Sequence, residues 1–128
     1  MTDQELRISA AEKVMGWTPR PLCSNPGSAG YFPNAVEYGP RECGLIAWND
    51  DVHEDQLEGF DPLGSDADAF MLVDELMAQG WYLKLGGPSP WVARFWHSTG
   101  PIGMFDAVDH ARRRAIVMAC LKAKGVEC

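Results

Sequence analysis

The segment SDADAFMLVDELMAQGWYLKLGGPSPWVARFWH, residues 65–97, decides the fold class of this chain. Its first half has a helical pattern, because apolar residues recur at three- and four-residue steps and fall within one arc: Ala69, Phe70, Leu72, Val73, Leu76 and Met77. Ser65 can cap the first turn, in which Asp66 and Asp68 would meet the positive end of the helix. Gly80 is a typical helix stop, so the pattern predicts a helix between Ser65 and Gly80.

The second half of the segment predicts an antiparallel hairpin. WYLKL (81–85) and WVARFWH (91–97) both have strand character, and GGPSP (86–90) supplies turn residues between them. STGPIGMF (98–105) is predicted to be a loop. Because side chains alternate along a strand, the second strand has two faces: Trp91, Ala93 and Phe95 on one, and Val92, Arg94 and Trp96 on the other.

Two further helices are predicted outside this segment. Residues 4–15 have helical spacing, with Thr2 or Asp3 available as the cap. Residues 106–125 form the last predicted helix. It carries a stripe of mostly small residues, which should pack closely on a sheet: Val108, Ala111, Ala115, Met118 and Ala119.

The chain between residues 18 and 60 differs in composition. Residues 18–45 hold five of the nine prolines and several glycines, so 18–60 is predicted to be a long irregular insertion, Pro- and Gly-rich and then acidic. One strand is expected inside it, at 44–49. A length of 128 residues favours a single domain, 1–128. We therefore predict an α+β fold, in which one small antiparallel sheet (hairpin 81–97 and strand 44–49) is packed by two or three helices.

The chain is acidic, with a formal net charge of -7 and a pI of about 4.8. This balance argues against direct binding to nucleic acid, which depends on Lys and Arg to neutralise phosphates. Residues 50–75 carry ten acidic side chains and no Lys or Arg. Such a run suits a basic protein partner, although the simpler alternative is that it only keeps the protein in solution.

The sequence also bears on location. The longest apolar run, AIVMACL (115–121), is far shorter than the ~20 residues of a membrane span. The N-terminal stretch MTDQELRISAAEKV lacks the apolar centre of a signal peptide. A protein that stays in the cytoplasm, without membrane contact, is predicted.

Cysteine spacing indicates free thiols rather than a metal or disulfide framework. There is no C-x-x-C pair, and Cys120 falls within a predicted helix, where it should be buried. A zinc site formed by Cys23, Cys43 and His53 is kept as an alternative, although it lacks the close ligand pairs typical of zinc. No metal or cofactor is predicted.

The other familiar signatures of site chemistry are missing. DPLGSDADAFML (61–72) fails as a calcium loop, because Leu63 and Leu72 stand at ligand positions. The three histidines, His53, His97 and His110, lie on different predicted elements without H-E-x-x-H spacing. We therefore predict no catalytic residues and no enzymatic activity.

Four stretches together resemble a family of small phage proteins, the phage ABA sandwich domain. They are AEKVMGW (11–17), DPLGSDADAFMLVDELMAQG (61–80), WVARFW (91–96) and ARRRAIVMACLKAKGVE (111–127). The resemblance covers about 80 of the 128 residues in the same order and leaves 18–60 unmatched. It implies a phage origin and helices packed on a small sheet, and it brings no catalytic residues to this chain.

These observations favour a non-catalytic protein that inhibits a host defence system, in the manner of anti-CRISPR proteins, inside the host cytoplasm. An acidic surface can occupy the basic groove of a host protein in which nucleic acid would otherwise bind. The residues predicted to contact this partner lie in and beside the acidic run: Trp48, Asp50, Asp51, Glu54, Asp55 and Glu58.

Two alternatives belong to other classes. The protein could sequester a small nucleotide signal, with Arg94, Trp96 and Arg112 converging on the ligand. It could instead serve in phage assembly, with the small-residue stripe of the last helix as an interface between copies. The sequence does not fix an oligomeric state.

Overall fold

The computed structural model describes residues 2–21, 35–40, 43–48, 56–88, 90–98 and 104–126. Within them the fold is α+β, with three helices and two small antiparallel sheets, which confirms the predicted class. The helices are α1 (Asp3–Ser9), which continues as a π-helical turn over Ala10–Val14, α2 (Asp66–Ala78) and α3 (Arg112–Ala123). The strands are β1 (Pro19–Pro21), β2 (Val36–Tyr38), β3 (Leu45–Trp48), β4 (Gln56–Gly59), β5 (Trp81–Gly86), β6 (Trp91–His97) and β7 (Met104–Asp109).

The predicted hairpin is present as β5 and β6, and a third strand extends it. The sheet order is β5-β6-β7, with Phe95 opposite both Leu83 and Phe105. The sequence pattern predicted a loop over 98–105 and a helix over 106–125, and both predictions are corrected by β7, which spans Met104–Asp109. Its stretch MFDAVD has the two-residue period of a strand, because Ala107 is buried while its neighbours on either side are exposed. Helix α3 accordingly begins at Arg112.

Helices α2 and α3 cover one face of this three-stranded sheet, as predicted. Ser65 caps α2 by accepting a hydrogen bond from the amide of Asp68, and Gly80 follows the helix with a φ of 95°. The buried residues shared by this face and the two helices include Ala93, Phe95, Ala107, Leu72, Leu76, Ile116 and Leu121.

In α2 and in the last predicted helix, the residues predicted to form the apolar face include some that are exposed. Phe70 and Met77 lie at the outer edge of the α2 arc and are 40% and 51% exposed. In the other stripe, Val108 belongs to β7 and is 54% exposed, whereas Ala115 and Ala119 are buried. The buried part of the stripe, Ala115 and Ala119, is therefore an internal contact of the fold.

The described part of 18–60 forms a second sheet, where the sequence predicted irregular chain. The order is β1-β2-β3-β4, and every pair is antiparallel. The strand expected at 44–49 exists as β3, but it pairs with β2 and β4 rather than with the hairpin. These strands have only three or four residues, too few to show a period. Two prolines lie in β1, an edge strand, where a missing amide donor is tolerated.

The four-stranded sheet joins the helices at the end of β4. Arg7 of α1 donates from Nε to the carbonyl of Phe60 at 2.8 Å and from Nη2 to the carbonyl of Gly59 at 3.3 Å. The ring of Trp17 packs on Phe60 in an edge-on geometry at 5.1 Å between centroids. Phe60 shares one cluster of buried residues with α2 and α3. None of the described helices has both the length and the apolar character that crossing a membrane requires.

Candidate functional site

Two of the predicted partner-binding residues meet on the hairpin of β3 and β4. The indole Nε1 of Trp48 donates a hydrogen bond to Oε2 of Glu58 at 3.0 Å. The strand register pairs Ile46 with Glu58 and Trp48 with Gln56, so all four side chains lie on one face of the sheet. Trp48 is half-buried and Glu58 is exposed.

The remaining predicted partner-binding residues lie in the sequence between these two strands. Asp50, Asp51, Glu54 and Asp55 fall outside the described residues. β3 ends at Trp48 and β4 begins at Gln56, and these two residues are paired across the strands. The sequence 49–55 connects them. We call β3, β4 and the residues between them the acidic hairpin.

A second carboxylate on the same face is already neutralised. Glu37 of β2 is buried and accepts a hydrogen bond from Nε of Arg20 at 2.9 Å. The same guanidinium donates to the carbonyl of Gly39 at 2.8 Å, which fixes it on the edge strand. Glu58 differs, because its described partner is the neutral indole of Trp48. It therefore keeps its negative charge available at the surface.

Two residues of the alternative ligand site also meet, on the side of the three-stranded sheet that the helices leave uncovered. We call this side the outer face, and its described side chains belong to Tyr82, Lys84, Val92, Arg94, Trp96, Asp106 and Val108. Arg94 and Trp96 are two residues apart on the central strand, so they point the same way. Arg94 donates from Nη2 to Oδ2 of Asp106 at 3.3 Å.

Residues that the sequence analysis did not select complete the outer face. The register places Tyr82 opposite Trp96, and their rings stack with centroids 5.8 Å apart and planes 28° from parallel. It also places Lys84 opposite Arg94. The signal was present in the sequence: once WYLKL is a strand, Tyr82 and Lys84 share one of its faces, and a hairpin turn brings them to the second strand.

Arg112, the third predicted ligand residue, lies on the helix-covered side of the sheet. Its Nη2 donates to Oδ1 of Asp66 at 2.8 Å, and its guanidinium lies 5.7 Å from the ring centroid of Trp91. Arg113 donates from Nε to the same carboxylate oxygen at 2.8 Å. These two arginines hold the pKa of Asp66 below its usual value. Arg112 thus joins the starts of α2 and α3 and does not converge with Arg94 and Trp96.

Two depressions on the described surface are lined by charged side chains. One, of about 110 Å³, is lined by Lys84, Gly86, Val92 and Arg94 on the outer face. The other, of about 280 Å³, lies at the start of α1 beside Arg7 and Asp61. Arg7 is already committed there, to two carbonyl groups and to Asp61 at 3.7 Å. The smaller depression is therefore the one whose cations are better placed to take a ligand.

The described cysteines and histidines lie apart from one another in character and place. Burial raises the pKa of the Cys120 thiol, which keeps it protonated and unreactive. Cys43 is exposed, whereas Cys23 and His53 of the zinc alternative lie outside the described residues. His97 has its Nε2 2.9 Å from the carbonyl oxygen of Gln79. In the part of the chain that the structure describes, no three His, Cys, Asp or Glu residues come together as a metal site would require.

No protein-family model, curated protein or solved structure matches this chain. Function is therefore inferred from the acidic hairpin and the outer face.

Proposed function

We propose that this protein is a phage-encoded, non-catalytic binding protein that inhibits a host defence system, as anti-CRISPR proteins do. Its acidic hairpin occupies a basic, nucleic-acid-binding surface of a host protein in the cytoplasm. The observation that carries this proposal is the contact between Trp48 and Glu58, which puts an aromatic ring beside a carboxylate that no cation of the described residues neutralises.

The composition of the hairpin supports a protein partner. Trp is enriched where binding energy is concentrated in protein interfaces, because its ring buries a large area and its N–H keeps a polar contact. Here the N–H is bonded to Glu58, so the ring can be covered by a partner without losing that hydrogen bond. The sequence between Trp48 and Gln56 adds four carboxylates to the hairpin.

Electrostatics support a basic partner in particular. The formal net charge of -7 repels nucleic acid and attracts a surface that is built to hold phosphates. Complementary charge raises the association rate, and salt screens it over about 8 Å at physiological ionic strength. A docking of this kind would compete with nucleic acid for the same groove and would weaken as salt is added.

The phage origin is supported by the resemblance to the phage ABA sandwich domain. The stretches that carry it form α2, β6 and α3, together with the π-helical turn after α1. The acidic hairpin lies within 18–60, which the resemblance does not cover. The inhibitory surface would then be an addition to a phage scaffold.

The test is a plating assay on bacteria that carry a defined RNA-guided defence and express this protein. The wild-type protein should raise the plating efficiency of a targeted phage. A variant in which Asp50, Asp51, Glu54, Asp55 and Glu58 are changed to their amides should lose that effect, because the partner is recognised by charge. Inhibition that survives intact in this variant shows that the acidic surface is not the mechanism.

A matched pair of double variants controls for net charge. Asp50→Asn with Asp51→Asn removes two charges from the hairpin, and Asp74→Asn with Glu75→Gln removes two from α2. Only the hairpin pair should weaken binding to the purified defence complex and flatten its salt dependence. Equal effects of the two pairs would indicate that overall charge, rather than a docking surface, controls binding.

A further inference from the structure

The centre of the outer face holds two cations in an arrangement that is unfavourable by itself. Lys84 of β5 and Arg94 of β6 are register partners, so they stand directly opposite each other across the two strands. Like charges that stand directly opposite each other destabilise a sheet. Asp106 on β7 neutralises Arg94, at 3.3 Å from its Nη2. Among the described residues none forms a hydrogen bond or an ion pair with the Lys84 ammonium group, so this row keeps a net positive charge in an acidic protein.

The space beside these cations is left open by a glycine. Gly86 is the next residue of β5 on the same face, and a Cβ placed on it would meet no atom within 4 Å. Together with Val92 it bounds the depression of about 110 Å³ beside the two cationic side chains. The Nε of Arg94 is shielded from solvent and has no hydrogen-bond partner among the described residues. The site therefore combines an open hollow with two cationic side chains, of which Arg94 is paired with Asp106 and Lys84 has no ion-pair partner among the described residues.

An aromatic surface lies next to the cations along the same strands. Tyr82 lies two residues from Lys84 on β5, and Trp96 lies two residues from Arg94 on β6. Their rings stack on each other, and Tyr82 is 49% exposed. Two residues along a strand span about 7 Å. That separation is comparable to the distance between the base and the phosphate of a nucleotide. A base could stack on these rings while its phosphate reached the cations.

We propose that the outer face binds a nucleoside monophosphate. The phosphate enters the hollow beside Gly86, where it accepts hydrogen bonds from Lys84 and Arg94, and the base lies on Tyr82 and Trp96. Charge complementarity selects the ligand, because this positive row is opposite in sign to the rest of the chain and phosphate oxygens are strong acceptors for Lys and Arg. Stacking on aromatic rings is favourable for any base, because every base has a π-face.

This site is independent of the proposed inhibition. It lies on the three-stranded sheet, whereas the acidic hairpin belongs to the four-stranded sheet. Variants of one surface can therefore be made without touching the other, and the failure of one proposal leaves the other standing.

The experiment is calorimetric titration of the full chain with AMP and GMP, accompanied by amide and indole NMR. Saturable binding should shift the signals of residues 82–86 and 92–96 and the indole of Trp96. Adenosine tests the base alone and inorganic phosphate tests the anion alone, and both should bind more weakly than AMP. Inorganic phosphate that binds as tightly as AMP, or the absence of saturable binding of both nucleotides at millimolar concentration, overturns the proposal.

Three variants test the geometry. Lys84→Met should weaken AMP binding about tenfold, since a charge-assisted hydrogen bond of about 1.4 kcal/mol corresponds to that factor. Gly86→Val should weaken it as well, by filling the hollow with a residue that strands favour. Lys13→Met on the π-helical turn after α1 removes the same charge elsewhere and should leave the affinity unchanged. Unaltered affinity in both outer-face variants, with unfolding temperatures at the wild-type level, would also overturn the proposal.

Discussion

Asp66 has two roles that follow from its position as the first residue of α2. Its carboxylate lies at the positive end of that helix, and its Oδ1 accepts hydrogen bonds from Arg112 and Arg113 at 2.8 Å each. Three consecutive arginines begin α3, and the third, Arg114, forms an ion pair with Asp3 of α1. One turn of α3 is thus attached to the starts of both other helices.

This contact should make stability depend on pH. The folded pKa of Asp66 is lowered, chiefly by its hydrogen bonds to Arg112 and Arg113, so its contribution is complete above the unfolded pKa of about 3.9 and is lost as pH falls through the folded value. We expect Asp66→Asn to lower the thermal unfolding temperature at pH 7, and the difference from wild type to shrink below about pH 4. Asp74→Asn, on the same helix, serves as the control. A difference that stays constant down to acid pH would contradict the assignment.

Thiol reactivity should separate two cysteines. Cys120 is buried in α3 and burial raises its pKa, whereas Cys43 is exposed. In a background with Cys23 and Cys128 changed to Ser, we expect a thiol reagent to modify Cys43 rapidly and Cys120 only when the protein unfolds. Mass spectrometry of the labelled protein identifies each site, and rapid labelling of Cys120 under native conditions would show that α3 does not pack as described.

At the scale of elements, two neighbouring residues of α2 face opposite environments. Leu76 is fully buried between the sheet and α3, whereas Met77 is 51% exposed. We expect Leu76→Ala to reduce the free energy of unfolding by about 2–5 kcal/mol, because it leaves a cavity. Met77→Ala should change it by no more than about 0.5 kcal/mol. Chemical denaturation of both variants measures the contrast, and similar losses would mean that another surface covers Met77.

Element length decides what the sequence could predict. Helix α2 spans 13 residues and shows several turns of its pattern, with Ser65 and Gly80 marking its ends. β7 has six residues and the strands of the other sheet three or four, so their patterns overlap with those of loops and helix starts. Which strands pair with each other depends on contacts between residues distant in sequence. The sequence of β3 alone therefore does not predict that it pairs with β2 and β4. The outer face is an intermediate case, because alternation places Arg94 with Trp96 while only the register adds Lys84 and Tyr82.

At the scale of the whole molecule, Phe60 connects the two sheets. It follows β4, touches Trp17, and is buried in the cluster that includes residues of α2 and α3. We expect Phe60→Ala to reduce the free energy of unfolding by roughly 3–5 kcal/mol and to loosen both sheets together. Hydrogen exchange followed by mass spectrometry compares peptides of β3 with peptides of β6. Faster exchange in β3 alone would indicate that the four-stranded sheet is a separate unit, against the predicted single domain.

The position of α3 in chain order has a consequence for biosynthesis. This helix supplies six buried residues and contacts the three-stranded sheet, α1 and α2, yet it is translated after every other described element. Until it leaves the ribosome, the apolar side of α2 and the inner face of the hairpin have no cover. Leu72, Leu76 and Phe95 therefore stay without that cover until α3 has been made, and any translational stop before Arg112 should yield an insoluble fragment rather than a smaller folded protein.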